Sequence, residues 1–163
     1  MKSRTSLSIL FCVYTLSACG SPPERTPYDG ADRVGAIEPS LLVGDWKVSV
    51  LNPVAEENSA TVTQTFHQDG TWTSVVIPPA EQTEQFGPIE YKGYGEWQIE
   101  GDALVSQMEN MEETTGSKFG GIMKTIATMF MPKSTTANPY EISGTRMIFV
   151  HESTGQATLL ERI

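Results

Sequence analysis

The stretch ATVTQTFHQDGTWTSVVI, residues 60–77, decides the fold class. Ala60, Val62 and Phe66 alternate with Thr61, Thr63 and Thr65, a period of two that puts the apolar set on one face of a strand. Asp69-Gly70 follows, a strong short-range hairpin signal, because these residues tolerate the left-handed backbone of a tight reversal. The chain returns through TWTSVVI with Trp72 and Val76 on one face.

The same pattern extends outward in both directions. DWKVSVL (45–51) places Trp46, Val48 and Val50 together, and EYKGYGEWQI (90–99) does so for Tyr91, Trp97 and Ile99. Gly93 and Gly95 share that second face, which suits a bend or a close backbone approach. Glu100-Gly101-Asp102 turns into ALVSQM, and PYEIS, RMIFV and QATLLERI supply three further strands around Ser143-Gly144 and the STG at 153–155. The expected strands are 44–51, 60–67, 71–77, 90–99, 103–109, 139–143, 146–151 and 156–162. Short connections pair sequential neighbours antiparallel, and eight strands in meander order close into an all-β, up-and-down barrel without an exposed edge. An open, curled sheet with a helix across it is the structural alternative. PPAEQTEQFGP (78–88) reads as an acidic loop and MENMEETTG (108–116) as a solvated turn.

One segment breaks the alternation, GSKFGGIMKTIATMFMPKS at 116–134. On a helical wheel Phe119, Ile122, Met123, Ile126 and Phe130 fall within about 100°, with Lys124, Thr125 and Thr128 opposite. Ser117 is the expected N-cap and Pro132 the stop, so one short helix is expected over 117–131, inserted between strands five and six. At about 20 Å it is too short to span a bilayer, and in isolation it is marginal. It therefore needs an apolar surface: the barrel core as a plug, a cavity as a lid, or a membrane or protein partner. Gly116, Gly120 and Gly121 would hinge a lid, and methionines adapt to varied apolar shapes. Lys118, Lys124 and Lys133 lie around the polar side and keep the third option open.

The first residues, MKSRTSLSILFCVYTLSACG, join a basic start at Lys2 and Arg4 to a short apolar run and small residues, the pattern of a secretory signal. Leu16-Ser17-Ala18-Cys19 resembles the lipobox of bacterial lipoproteins. That resemblance implies a signal peptide at 1–18, and Cys19 as a first residue carrying a diacylglyceryl thioether and further acylation (palmitate or similar chains). At about 0.8 kcal/mol per buried CH₂, several chains make a durable anchor. Gly20 rather than Asp after the cysteine implies an outer membrane, with the protein facing the periplasm. The stretch 19–40, rich in Pro, Gly and charge, reads as a flexible tether holding a domain at 41–163 roughly 25 Å from the anchor.

Cys12 leaves with the signal and Cys19 carries lipid, so the mature chain has no thiol for a disulfide or a cysteine metal site. Nine basic side chains then face 20 acidic ones, a formal charge of −11, which argues against nucleic acid or anionic headgroups as partners. Six methionines (Met108, Met111, Met123, Met129, Met131 and Met147) with His67 and His151 show no compact soft-metal spacing, so no metal or cofactor is expected. No Gly-x-Ser-x-Gly, phosphate loop or His-Glu-x-x-His occurs, and the reading is a binding protein, not an enzyme.

LLVGDWKV (41–48), TFHQDGTW (65–72) and GYGEWQIEGDAL (93–104) occur in an order similar to that of small bacterial lipocalin-like proteins. The resemblance implies a structural motif in which Gly44 and Trp46 close one barrel end beside a basic residue of the last strand, here Arg162. It also implies noncovalent binding of a small apolar or amphipathic molecule. Candidate cavity or lid residues are Trp72, Trp97, Phe119, Met123, Ile126 and Phe130. The chain departs from the family in placing its helix before the last three strands rather than after them. A competing reading is a protein-interaction or accessory lipoprotein, such as a periplasmic inhibitor, with a packed barrel and acidic loops at 52–59 and 78–90 that meet a basic partner.

Overall fold

A computed structural model describes residues 25–54, 60–130 and 133–163, of which 126–130 are described by backbone alone. The order is α1 (Pro39–Leu42), β1 (Gly44–Val50), β2 (Thr61–Phe66), β3 (Thr71–Ile77), α2 (Ala80–Phe86), β4 (Tyr91–Glu100), β5 (Ala103–Glu113), α3 (Lys118–Phe130), β6 (Ser134–Ile142), β7 (Arg146–His151) and β8 (Ala157–Arg162). The strands form a closed barrel in chain order, every neighbour antiparallel, and β8 returns to β1 with Arg162 opposite Trp46 and Thr158 opposite Val50. The hairpin at 65–72 is closed by His67 N–H donating to Thr71 O at 2.9 Å, with Gly70 at φ +84°.

Three differences from the sequence expectation stand out. Among the described residues there are three helices where the sequence pattern predicts one. α2 arises inside the stretch read as an acidic loop: Pro79 precedes it, Glu81 sits in its first turn, and Gly87 at φ +84° ends it. Glutamate, glutamine and alanine are good helix formers, and polarity alone hid that preference. β5 runs on to Glu113 through the stretch read as a solvated turn. A bulge opposite Tyr94 and Gly95 adds one residue, so that Met108 and Met111 both pair with the inward glycines, Gly95 and Gly93. β6 begins at Ser134 rather than 139, because its polar first residues pair with β5 and the hydroxyls of Thr135 and Ser106 meet at 2.8 Å.

The stretch read as a tether is, from residue 25 onward, seated on the barrel. Asn52 Nδ2 donates to Thr26 O at 2.8 Å, and Arg25 donates to Asn52 O at 3.1 Å. Tyr28 then packs edge-on against Tyr140 at 5.4 Å, Val34 N–H donates to Pro139 O, and Arg33 pairs with Asp102 at 2.8 Å. Ile37 joins the core and α1 follows it. The strap therefore descends the outer wall along β6 to β8, where the outward Ile148 and Leu159 are buried. Apolar residues on the outer face give it something to cover, and a Pro- and Gly-rich composition does not reveal that.

The barrel has two unlike ends. Turns at 67–70, 101–102 and 143–145 lie with α1 at one end, around a core of Trp46, Phe66, Trp72, Trp97, Leu104, Met147, Phe149 and Leu160. The long connections, including α2 and α3, lie at the other.

Candidate functional site

The register fixes which side chains point inward, and the inner face divides into halves. In the lower half the packing is dense. Trp72 lies across Gly95 and Gly93: a methyl at 95 would collide with Gln107 O and sit 2.8 Å from the indole, and one at 93 would sit 3.2 Å from it. The two glycines make room for this ring rather than leaving a void. Trp72 Nε1 donates to Glu96 O at 3.0 Å, and Trp97 Nε1 donates to Thr71 O at 3.0 Å and His67 O at 3.2 Å. Trp97 also meets Phe66 edge-on at 5.6 Å. Both indoles are buried with their N–H groups satisfied, and they form a floor.

Above the floor the character changes. Val48, Val62, Val76 and Met108 share the inner face with Gln64, Ser74, Ser106 and Thr135, and all eight are only half-buried. These inward side chains are more accessible than the buried aromatic floor beneath them, and Val48 and Met108 reach down to pack against it. The upper half is thus a cup with apolar walls and interspersed hydrogen-bonding groups, the composition of small-molecule sites. His151 completes one side, its Nε2 lying 3.2 Å from Thr158 Oγ1. Burial lowers its pKa, and the nearby charge of Arg25 adds to the effect. Among the described residues no three His, Cys, Asp or Glu side chains converge as a metal site would require.

At the mouth, beside the tops of β4 and β5, α2 and α3 are joined by a stack of Phe86 on Phe119 with centroids 3.8 Å apart and planes at 7°. Tyr91 donates its hydroxyl to Gly120 O at 3.4 Å, and Thr115 donates its own to Pro88 O at 2.8 Å. Burial, then the Glu113 charge, raise the Tyr91 pKa. Glu113 accepts the Thr115 hydroxyl and the N–H groups of Thr115 and Gly116 ahead of α3; the Thr115 hydroxyl is the main cause of its lowered pKa. Ser117 Oγ accepts from Gly120 N–H at 3.1 Å, an N-cap geometry. The face of α3 differs from the wheel. Met123 is buried and Phe119 is partly buried against Phe86, but Ile122 is 60% exposed, because the stack on Phe86 sets the roll of the helix. The side chains of Ile126 and Phe130, and all of Cys19, lie outside the described residues.

Gly44, Trp46 and Arg162 come together at the closed end. The Arg162 guanidinium lies 4.3 Å from the Trp46 ring and donates to the carbonyls of Gly144 (2.6 Å), Leu41 (2.8 Å) and Val43 (3.1 Å). Gly44 has φ +132°, and a methyl there would strike Arg162 Nη1. Trp46 Nε1 donates to Leu42 O at 2.7 Å, which ties α1 across the barrel end. This trio closes the fold far from the cup. A separate groove of about 500 Å³ between the strap and β7, lined by Tyr28, Asn52, Arg146 and Ile148 among others, is open to solvent.

Sequence reasoning missed Phe86, His151 with Thr158, and Asn52. Phe86 had a signal, a lone aromatic in a polar stretch. Asn52 had none, since asparagine before proline marks a loop and not what the side chain holds.

No family model matches the chain, and neither does any curated protein. Among solved structures it is similar to the crystal structure of a lipocalin-like protein from Bacteroides uniformis, with 14% identity, 76% of this chain and 99% of that chain covered, and a TM-score of 0.49. It is also similar to the NMR structure of a protein from Burkholderia xenovorans, with 15% identity, 86% and 98% covered, and a TM-score of 0.37.

Proposed function

We propose that this is a lipid-anchored envelope protein whose upper barrel binds a small apolar or amphipathic molecule without covalent chemistry. The observation that supports the reading is the difference between halves: a packed aromatic cluster below, and above it inward side chains that are mostly only partly buried, with Val48 and Met108 bridging the two. Val48, Val62, Val76 and Met108 suit an apolar body, and Gln64, Ser74, Ser106 and Thr135 suit a polar end. The α2–α3 pair serves as the lid, held among the described residues by the Phe86–Phe119 stack and hydrogen bonds such as that from Tyr91 to Gly120. The anchor rests on the lipobox-like LSAC, and the absence of catalytic motifs supports binding over turnover.

The test is native mass spectrometry of residues 20–163 purified without the anchor. Adducts of discrete mass that vanish on denaturation support the cup, and Ser74→Phe, which fills it, should abolish them while the fold persists. A clean apo mass that stays unchanged on incubation with fatty acids and lysophospholipids would overturn the ligand reading in favour of a protein-interaction module. Cys19→Ala should move the protein from the membrane to the soluble fraction, and retention in the membrane would contradict lipidation.

A further inference from the structure

We infer that the protein stands on the bilayer with its barrel mouth facing the lipid, so that the cup exchanges its ligand directly with the membrane surface. This rests on the anchor at Cys19 proposed above, and it adds an orientation that the anchor alone does not give.

The first observation is where the strap begins. Arg25 and Thr26 are fixed to Asn52, just past the end of β1 at the open rim. Asn52 is fully engaged there, its Nδ2 also donating to Gly155 O at 2.9 Å and its Oδ1 accepting from Ala157 N–H at 2.7 Å. Only five residues lie between Cys19 and Arg25. The six Cα–Cα steps reach at most about 20 Å and average nearer 13 Å. The closed end lies a further ~25 Å away, the rise of a ten-residue strand tilted as in an eight-stranded barrel. A chain leaving from the closed end would present that end to the membrane; this one leaves from the mouth.

The second observation is independent of the anchor. Among the described residues, four large apolar side chains are exposed: Leu51 (39%), Ile77 (42%), Ile122 (60%) and the terminal Ile163 (69%). The first three sit around the mouth, at the ends of β1 and β3 and on α3, and Ile163 is the last residue at the closed end. The occupant the charge pattern fits is a zwitterionic surface. Exposed Glu81 and Glu84 on α2 and Glu109 and Glu112 at the top of β5 share the rim with exposed Lys118 at the start of α3 and Lys133 before β6, a mixture of signs that matches zwitterionic headgroups better than a uniformly anionic surface.

The experiment uses the mature lipidated protein, whose single remaining thiol is engaged by lipid, in phosphatidylcholine vesicles. A fluorophore is placed at Ile122→Cys or, at the closed end, Thr145→Cys, and bromine-bearing phosphatidylcholine supplies quenching from the acyl region. The expected result is loss of emission at 122 and none at 145, insensitive to salt. Asn52→Ala should reduce this contrast while vesicle flotation persists; unchanged contrast would overturn the role of the strap. Flotation without quenching at 122, or with equal quenching at both sites, overturns the orientation and leaves the anchor standing. Failure of the wild-type chain to float, like its Cys19→Ala control, overturns the anchor and the orientation together.

Discussion

Replacing Arg162 tests whether the closed end is held by a guanidinium or by apolar packing alone. Its side chain is exposed, so its hydrogen bonds are to be valued below those of a buried charge. Three bonds to the Leu41, Val43 and Gly144 carbonyls, at about 0.5–1 kcal/mol each, and a solvent-accessible cation–π contact of similar size give roughly 2–4 kcal/mol for Arg162→Ala. With a urea slope near 2 kcal/mol/M, the unfolding midpoint should fall by about 1–2 M. Arg162→Lys keeps a positive charge and an apolar stem but has no planar fork to reach three carbonyls, so it should lose roughly half as much. The assay is urea unfolding followed by tryptophan emission, which Trp46 reports at the site itself. A midpoint for Arg162→Ala within about 0.25 M of wild type would refute the clamp. An Arg162→Lys protein as stable as wild type would refute the claim that geometry, rather than charge, does the holding.

Three further expectations follow from the packing and hydrogen bonding of the barrel. Gly95→Ala should destabilise by at least about 1–3 kcal/mol, because the methyl meets Trp72 and the Gln107 carbonyl; a thermal midpoint equal to wild type would show that Trp72 does not lie there. In a double-mutant cycle of Phe86→Ala and Phe119→Ala, read by hydrogen exchange of α3 amides, the stack should give a coupling of about 0.5–1.5 kcal/mol, and zero coupling would mean the helices are not joined by it. His151 takes a proton less readily when folded than when unfolded, so its contribution is complete above its ordinary value of 6.5 and declines as pH falls below that, down to its lower folded-state pKa. His151→Gln should flatten the stability profile below pH 6.5, and an unchanged slope would place the titration elsewhere.

The barrel was legible because its hairpins are local. Alternation in 60–66 and 71–77 with Asp69-Gly70 between them specifies one antiparallel pair, and repetition of that pattern closes the ring. The misread regions had their evidence outside their own residues. The start of β6, Ser134-Thr135-Thr136, has no apolar period and is a strand because β5 offers it an edge. The roll of α3 depends on Phe86, thirty-three positions earlier, which turns Ile122 outward despite a place on the apolar arc. The strap is seated by apolar side chains on the outer wall and by one asparagine, none of which its own composition encodes. For the cup, the inward positions could be read from alternation. Which of them are packed and which stay open could not, because Trp72 and Trp97 alternate inward just as Val76 and Ser74 do.

That division within single strands is what allows stability and binding to be separated in this barrel. β3 supplies Trp72 to the floor and Ser74 and Val76 to the cup, and β4 supplies Trp97 below and Tyr91 beneath the lid. The closed end concentrates the core, the Arg162 clamp and α1. Among the described residues the mouth buries Ile89, Met111 and Met123 outside the main core cluster and relies on hydrogen bonds near solvent, which places it toward the low-stability part of the molecule, from which moving lids are drawn. Opening α2 and α3 disturbs none of the closed-end contacts, and so the cup can change state without unfolding the barrel. Because the strap fixes the short leader at that same rim, the part of the molecule best able to open is also the part its anchor would hold nearest to lipid.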